Sequence, residues 1–126
     1  CILIFVLSYD VSVGQIFYSP FDFFYLIVFL PCIEEFAFRG WIQGLLLKHS
    51  LGRENVFMIS YANLATSGLF GLAHLVHQSG FWSILVFFPS LAFGFLRDKF
   101  GAIRPSIELH IFYNFVYFLI FYDSTS

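Results

Sequence analysis

The sequence predicts an all-α fold, a polytopic bundle of transmembrane helices around a polar intramembrane cavity. Three observations carry that expectation. Apolar residues fill 60% of the 126 positions and charged residues only 11%, whereas a soluble domain is roughly one quarter charged. The 20 Phe, 7 Tyr and 2 Trp exceed what one small soluble core can hide, but lipid can solvate the outside of helices that carry them. The apolar residues also fall into long stretches, and the few ionisable groups inside them recur four positions apart.

Taken in order, the chain opens on an apolar run at residues 1–7 with no basic region ahead of it. That reads as the end of a truncated helix and not as a signal peptide. We therefore expect residues 1–126 to form a single membrane-embedded domain, truncated on its N-terminal side, with further helices upstream.

Four apolar stretches follow. Residues 23–47 contain Glu34, Glu35 and Arg39. Pro31 is expected to kink this helix or to end a half-helix before Glu34. Such an interruption is tolerated at membrane depth only where protein or a wet cavity satisfies the freed backbone. Residues 56–75 hold no Asp, Glu, Lys or Arg. Residues 81–96 are short against the roughly 20 needed to cross a bilayer and contain Pro89, so a shallow or broken segment is expected there. Residues 107–122 hold Glu108, His110 and Asn114. Pro105 and Ser106 ahead of them suit the first turn of a new helix.

The formal net charge of −2 is small and scattered, which excludes a nucleic-acid partner. Cys1 and Cys32 lie too far apart for a metal motif or a disulfide framework. Lys48 and Arg53 precede the second stretch, and Arg97, Lys99 and Arg104 follow the third; the connection between these two stretches carries no Lys or Arg. A two-helix hairpin puts both basic loops on one side, and the positive-inside rule makes that side cytoplasmic.

An ionisable group at the centre of a span costs about 2.5 to 3.5 kcal/mol on insertion scales, so each one needs an explanation. Glu35 and Arg39 are four apart and share a helix face. Glu34 is turned about 100° away from Glu35. Arg39 neutralises only one carboxylate, and the other is either protonated or held in a polar cavity, as a general base would be. A buried ion cluster that only fixes helix packing explains the same residues. His74 follows Phe70 by four, and its spacing to His77 permits a metal with Glu34 as third ligand. A helix-end histidine bonded to a backbone carbonyl is the plainer alternative. His110 and Asn114, four apart, offer two donors that suit an oxyanion or an interhelical hydrogen bond. Glu108 reads as interfacial.

Together these residues resemble a known family. Glu34-Glu35-Phe36-Ala37-Phe38-Arg39 matches the Glu-Glu-x-x-x-Arg motif of the CPBP family, the CAAX proteases and bacteriocin-processing enzymes also called Abi proteins. Phe70 to His74 matches its Phe-x-x-x-His motif, and His110 to Asn114 its His-x-x-x-Asn motif. The lead-in from Gly101 to Ile107 is similar too, and the resemblance spans residues 31–118.

The resemblance implies an intramembrane glutamic endopeptidase in the cell membrane of a bacterium or archaeon, without a cofactor. It acts on a membrane-associated or lipidated protein or peptide, with membrane lipid as its surroundings. Carried over, Glu34 activates a water with help from His74. Glu35 and Arg39 form the supporting pair, and His110 and Asn114 bind the oxyanion. A non-catalytic immunity or scaffold protein, a metal-dependent protease and a proton-coupled transporter are the competing readings, although the inverted repeats of many transporters are missing.

Geometry separates these readings, because an enzyme needs Glu34, His74, His110 and Asn114 around one cavity. Straight helices work against that arrangement. They put His74 far from the basic loops and His110 close to them.

Overall fold

A computed structural model describes residues 20–76 and 80–123; the apolar run 1–7 and His77 lie outside them. The described residues are mostly helical. Helix α1 (residues 20–46) is built of α-helical Pro20–Phe24, π-helical Tyr25–Phe29, α-helical Leu30–Glu35, π-helical Phe36–Ile42 and α-helical Gln43–Leu46. The residues at each junction keep right-handed helical dihedrals, so Pro31 does not end a half-helix. Proline lacks the N–H and crowds the carbonyl four residues earlier, which here is Ile27. The wider π-helical turn at Tyr25–Phe29 takes up that crowding while the helix continues.

The second apolar stretch does not begin as a helix. A single turn, α2 (Ser50–Arg53), leads into a two-stranded hairpin of β1 (Asn55–Val56) and β2 (Ile59–Ser60), with Asn55 opposite Ser60 and Val56 opposite Ile59. Helix α3 (Tyr61–Leu75) starts only after it. Ser60 sets that boundary: its backbone is extended, and its side chain accepts a hydrogen bond from the Asn63 N–H at 3.0 Å, as an N-cap does. The 15 residues of α3 cover about 22 Å at 1.5 Å per residue, short of the ~30 Å hydrocarbon core.

The third stretch is neither short nor broken. Helix α4 (Gly80–Phe100) runs for 21 residues straight through Pro89, because Arg97, Asp98 and Lys99 extend it beyond the apolar residues. It covers about 31 Å and is the one helix among the described residues long and apolar enough to cross a membrane. Gly101, with φ of 65°, ends it and donates its N–H to the Arg97 carbonyl at 3.0 Å, a left-handed cap that glycine adopts without cost to a side chain. Helix α5 (Arg104–Asp123) then starts with Pro105 in its first turn, as expected.

Helices α3 and α4 are antiparallel, since Ser60 meets Asp98, Asn63 meets Leu91 and Gly71 faces the Ser83 carbonyl. Both basic loops therefore share one end. Asn63 crosses directly over Gly94, where an added Cβ would overlap its side chain. Helix α1 runs parallel to α4, with Arg39 bonded to Ser90 and Gln43 to Gly94, and antiparallel to α5. On that second side Leu26 and Ile27 pack with Phe23, Ile111 and Phe118, and the Phe23 and Phe118 rings meet edge-on at 5.3 Å.

The polarity of the interior is inverted relative to a soluble protein. Glu35, Arg39, Gln43, Asn63, Thr66, Ser67, Ser90, Ser106 and His110 are buried, whereas Phe21, Phe36, Trp41, Leu72, Ile84, Phe88 and Phe112 are exposed. Water would penalise that surface. In lipid the arrangement is favourable, because small and polar residues hold helices together there.

Candidate active site

The polar interior is organised around Glu35. Its Oε1 accepts from Nδ1 of His110 at 2.8 Å, and its Oε2 lies 3.5 Å from Nε of Arg39, one turn further along α1. Arg39 reaches across to α4, where its Nη2 donates to the Ser90 carbonyl at 2.6 Å and to Ser90 Oγ at 2.5 Å. Its guanidinium also lies 5.0 Å from the centre of the Phe70 ring, a cation–π contact strengthened by the lack of water. Glu35 and Arg39 are fully buried, and they join α1 to α3, α4 and α5 at one level. The π-helical turn Phe36–Ile42 carries Arg39; such turns often occur where a side chain is re-aimed for function.

Glu34 occupies a different position. Its side chain is 19% accessible, and Oε2 lies 3.6 Å from Nε2 of His110. The rotation between adjacent helical residues thus gives the two carboxylates opposite sides of one imidazole. Glu35 fixes Nδ1, and Glu34 faces Nε2. A carboxylate can only accept from Nδ1–H, so the Glu35 contact orients the ring.

His74 is held in a similar way. Its Nδ1 lies 2.7 Å from the Phe70 carbonyl, which can only accept, so the hydrogen sits on Nδ1 and the lone pair on Nε2 when the ring is neutral. The bond to a backbone carbonyl is the plainer of the two alternatives read for His74 in the sequence, and the same ring also lines a cavity between α3, α4 and α5. The expected depth mismatch does not keep the two histidines apart, since both touch Phe70 and line one cavity. Helical side chains lean toward the N-terminus, and the hydrogen bond folds the His74 ring back over the preceding turn, toward the basic end. The Phe70 ring touches both imidazoles, with centroids 4.5 Å from His74 and 6.1 Å from His110. On the other side, Phe93 stacks on His110 at 4.5 Å.

His74, His110 and Asn114 line one cavity of about 100 Å³ between α3, α4 and α5. Its other walls are apolar or aromatic, among them Trp82, Leu85, Pro89 and Tyr117. Asn114 is 3% accessible, and its Nδ2 is buried without a hydrogen-bond partner. Glu34, expected around the same cavity, is not among its lining residues; it stands against the lining ring of His110, 3.6 Å from Nε2. Glu35 and Arg39 stand behind it, in the wall. Among the described residues no three His, Cys, Asp or Glu side chains are grouped to hold a metal ion.

Several residues of the site were not singled out in the sequence. Ser90 anchors Arg39. Gln43 donates to the Gly94 carbonyl at 3.0 Å and to Asp98 Oδ1 at 2.7 Å, and Ser60 Oγ donates to Asp98 Oδ2 at 2.5 Å. Arg97 Nε donates to the Arg39 carbonyl at 3.3 Å. Gln43 follows Arg39 by four, as Arg39 follows Glu35, so the spacing already put it on the same stripe. Ser90 carried only the weak signal of a small polar residue within a span.

The model of a protein family, type II CAAX prenyl endopeptidase Rce1-like, matches residues 16–116. The chain belongs to this membrane-embedded family of CAAX-protease type, in keeping with its resemblance to the CPBP proteins. No curated protein and no solved structure matches it.

Proposed function

We propose that this member of the Rce1-like family is an intramembrane endopeptidase that uses a glutamate-activated water to cut a peptide bond near the membrane. What supports the reading is one observation above the others: His74, His110 and Asn114 line a single cavity, with the Glu34 carboxylate against His110. Four motif residues from three helices contribute to one location, where a packing role would need only separate satisfied pairs.

The chemistry follows from the donors and acceptors. Glu34 takes a proton from water, and Nε2 of His74 helps to hold that water. The resulting hydroxide adds to the peptide carbonyl. The oxyanion accepts hydrogen bonds from Nδ2 of Asn114 and from His110 when its Nε2 carries a hydrogen. The C–N bond then breaks as the leaving amine takes the proton back from Glu34. A positioned general base contributes about 10²- to 10⁴-fold, and each oxyanion donor about 10²- to 10³-fold. Glu35 and Arg39 act behind the reacting atoms by fixing the His110 ring and the rotation of α1.

The substrate belongs with a membrane-associated, lipidated protein or peptide, since the cavity walls away from the polar end are apolar. The chain is a single multi-pass domain, and its basic loops face the cytoplasm. To test the function, membranes from cells of the native host expressing wild type or Glu34→Gln are compared by mass spectrometry of membrane-protein termini. New termini confined to wild type are expected. Identical termini at equal expression would move the reading to a scaffold protein.

A further inference from the structure

The hairpin between α2 and α3 has no part in the proposed chemistry. Its turn residues, Phe57 and Met58, both have positive φ, 51° and 75°. Two-residue hairpin turns need that backbone, and Asn-Gly is the usual choice because bulky residues are strained there. Here the strained positions hold two large apolar side chains that make little use of the fold: Phe57 is 95% accessible and Met58 is 74% accessible. Leu51 and Val56 beside them are exposed as well.

The surroundings identify what these side chains meet. Lys48 and Arg53 precede the hairpin and are exposed. The Ser60–Asp98 hydrogen bond ties it to the last turn of α4, where the Lys99 ammonium lies over the Phe95 and Phe100 rings, 5.9 and 5.7 Å from their centres, a further cation at this end of the bundle. Glu54 is the exposed acidic residue within the segment, and Glu108 nearby is paired with Arg104. An apolar tip preceded by Lys48 and Arg53 and tied to the turn of α4 that carries Lys99 matches the boundary between acyl chains and anionic headgroups.

We propose that the 55–60 hairpin is an interfacial anchor, with Phe57 and Met58 inserted among the acyl chains of the leaflet on the basic side and Lys48 and Arg53 on anionic headgroups. The strained turn is maintained because it presents both side chains outward at the tip. Insertion would fix the height of Ser60, and through Asp98 and Gln43 the height of α1 beside the cavity.

The test needs no enzymatic activity. Full-length protein carrying Cys1→Ser and Cys32→Ala is spin-labelled at Phe57→Cys, Met58→Cys or, as a control, Glu54→Cys. It is reconstituted in phosphatidylcholine vesicles with and without phosphatidylglycerol. Collision with oxygen reports lipid, and collision with a water-soluble nickel chelate reports water. Oxygen should dominate several-fold at 57 and 58 and nickel at 54, and Lys48→Gln with Arg53→Gln should move the label at 57 toward water in the anionic vesicles. Nickel dominance at 57 in both vesicles would overturn the proposal. Protection from both reagents would also overturn it, in favour of a protein covering the tip. Should the labelled variants misfold, amide exchange in the unsubstituted chain decides: protection of the 57 and 58 amides in vesicles containing phosphatidylglycerol supports the anchor, and exchange there as fast as in an exposed turn in both kinds of vesicle refutes it.

Discussion

Replacing Arg39 with Met removes the charge that faces Glu35 and keeps most of the side-chain volume. The lost contacts are the two bonds to Ser90 at 2.6 and 2.5 Å, the 3.5 Å approach to Glu35 and the stacking on Phe70. Because both charged groups are fully buried, Glu35 is left with one fewer partner in a medium that cannot solvate it. Breaking a buried pair in this way costs about 3 to 5 kcal/mol, whereas replacing both members with apolar groups is often close to neutral. The double variant Arg39→Met/Glu35→Gln should therefore recover a large part of the loss. The exposed pair Arg104–Glu108 has the same four-residue spacing and a shorter contact of 2.7 Å, but its side chains are 87% and 61% accessible. Arg104→Ala should change nothing measurable. The assay is reversible unfolding in mixed micelles followed by circular dichroism, arranged as a double-mutant cycle. A cost below about 1 kcal/mol for Arg39→Met, or no recovery in the double variant, would refute the argument that burial gives this pair its importance.

Further expectations follow from the same geometry. Glu34→Gln should leave unfolding within about 1 kcal/mol of wild type, as a partly accessible group does, while Glu35→Gln should be clearly destabilising; the same micelle titration separates them. Asn114→Ala should lower kcat by about 10²- to 10³-fold with little change in KM, since an oxyanion donor acts on the transition state. Gly94→Ala pushes a methyl into Asn63 and should cost about 1 to 3 kcal/mol, with the Asn63→Ala background removing most of that cost. Prolonged dialysis against a chelator should leave peptide cleavage unchanged, and a loss restored by zinc would favour the metal-dependent reading.

The helical class, the four-residue pairings and the shared end of the two basic loops were legible because they depend on period and composition, which a sequence displays directly. The boundary at Ser60 was hidden, since Val56 to Ile59 are as apolar as the helix that follows. The continuity of α4 through Pro89 was hidden too, because its last turn is charged and reads as loop. The meeting of His74 and His110 was the hardest to foresee. Both rings touch Phe70 and line one cavity, and spacing along the chain does not encode how α3 and α5 pack to allow that. The π-helical turns of α1 left no mark in the sequence beyond Pro31.

The most direct test of the central claim is the release of the C-terminal tripeptide from a farnesylated peptide ending in a CAAX sequence. Purified wild type and Glu34→Gln, matched in helicity and reconstituted in vesicles, are compared by chromatography of the product. Wild type is predicted to release the tripeptide at least about 10²-fold faster, the minimum expected of a positioned general base. Equal rates for the two proteins would contradict the assignment of Glu34 as the group that activates water.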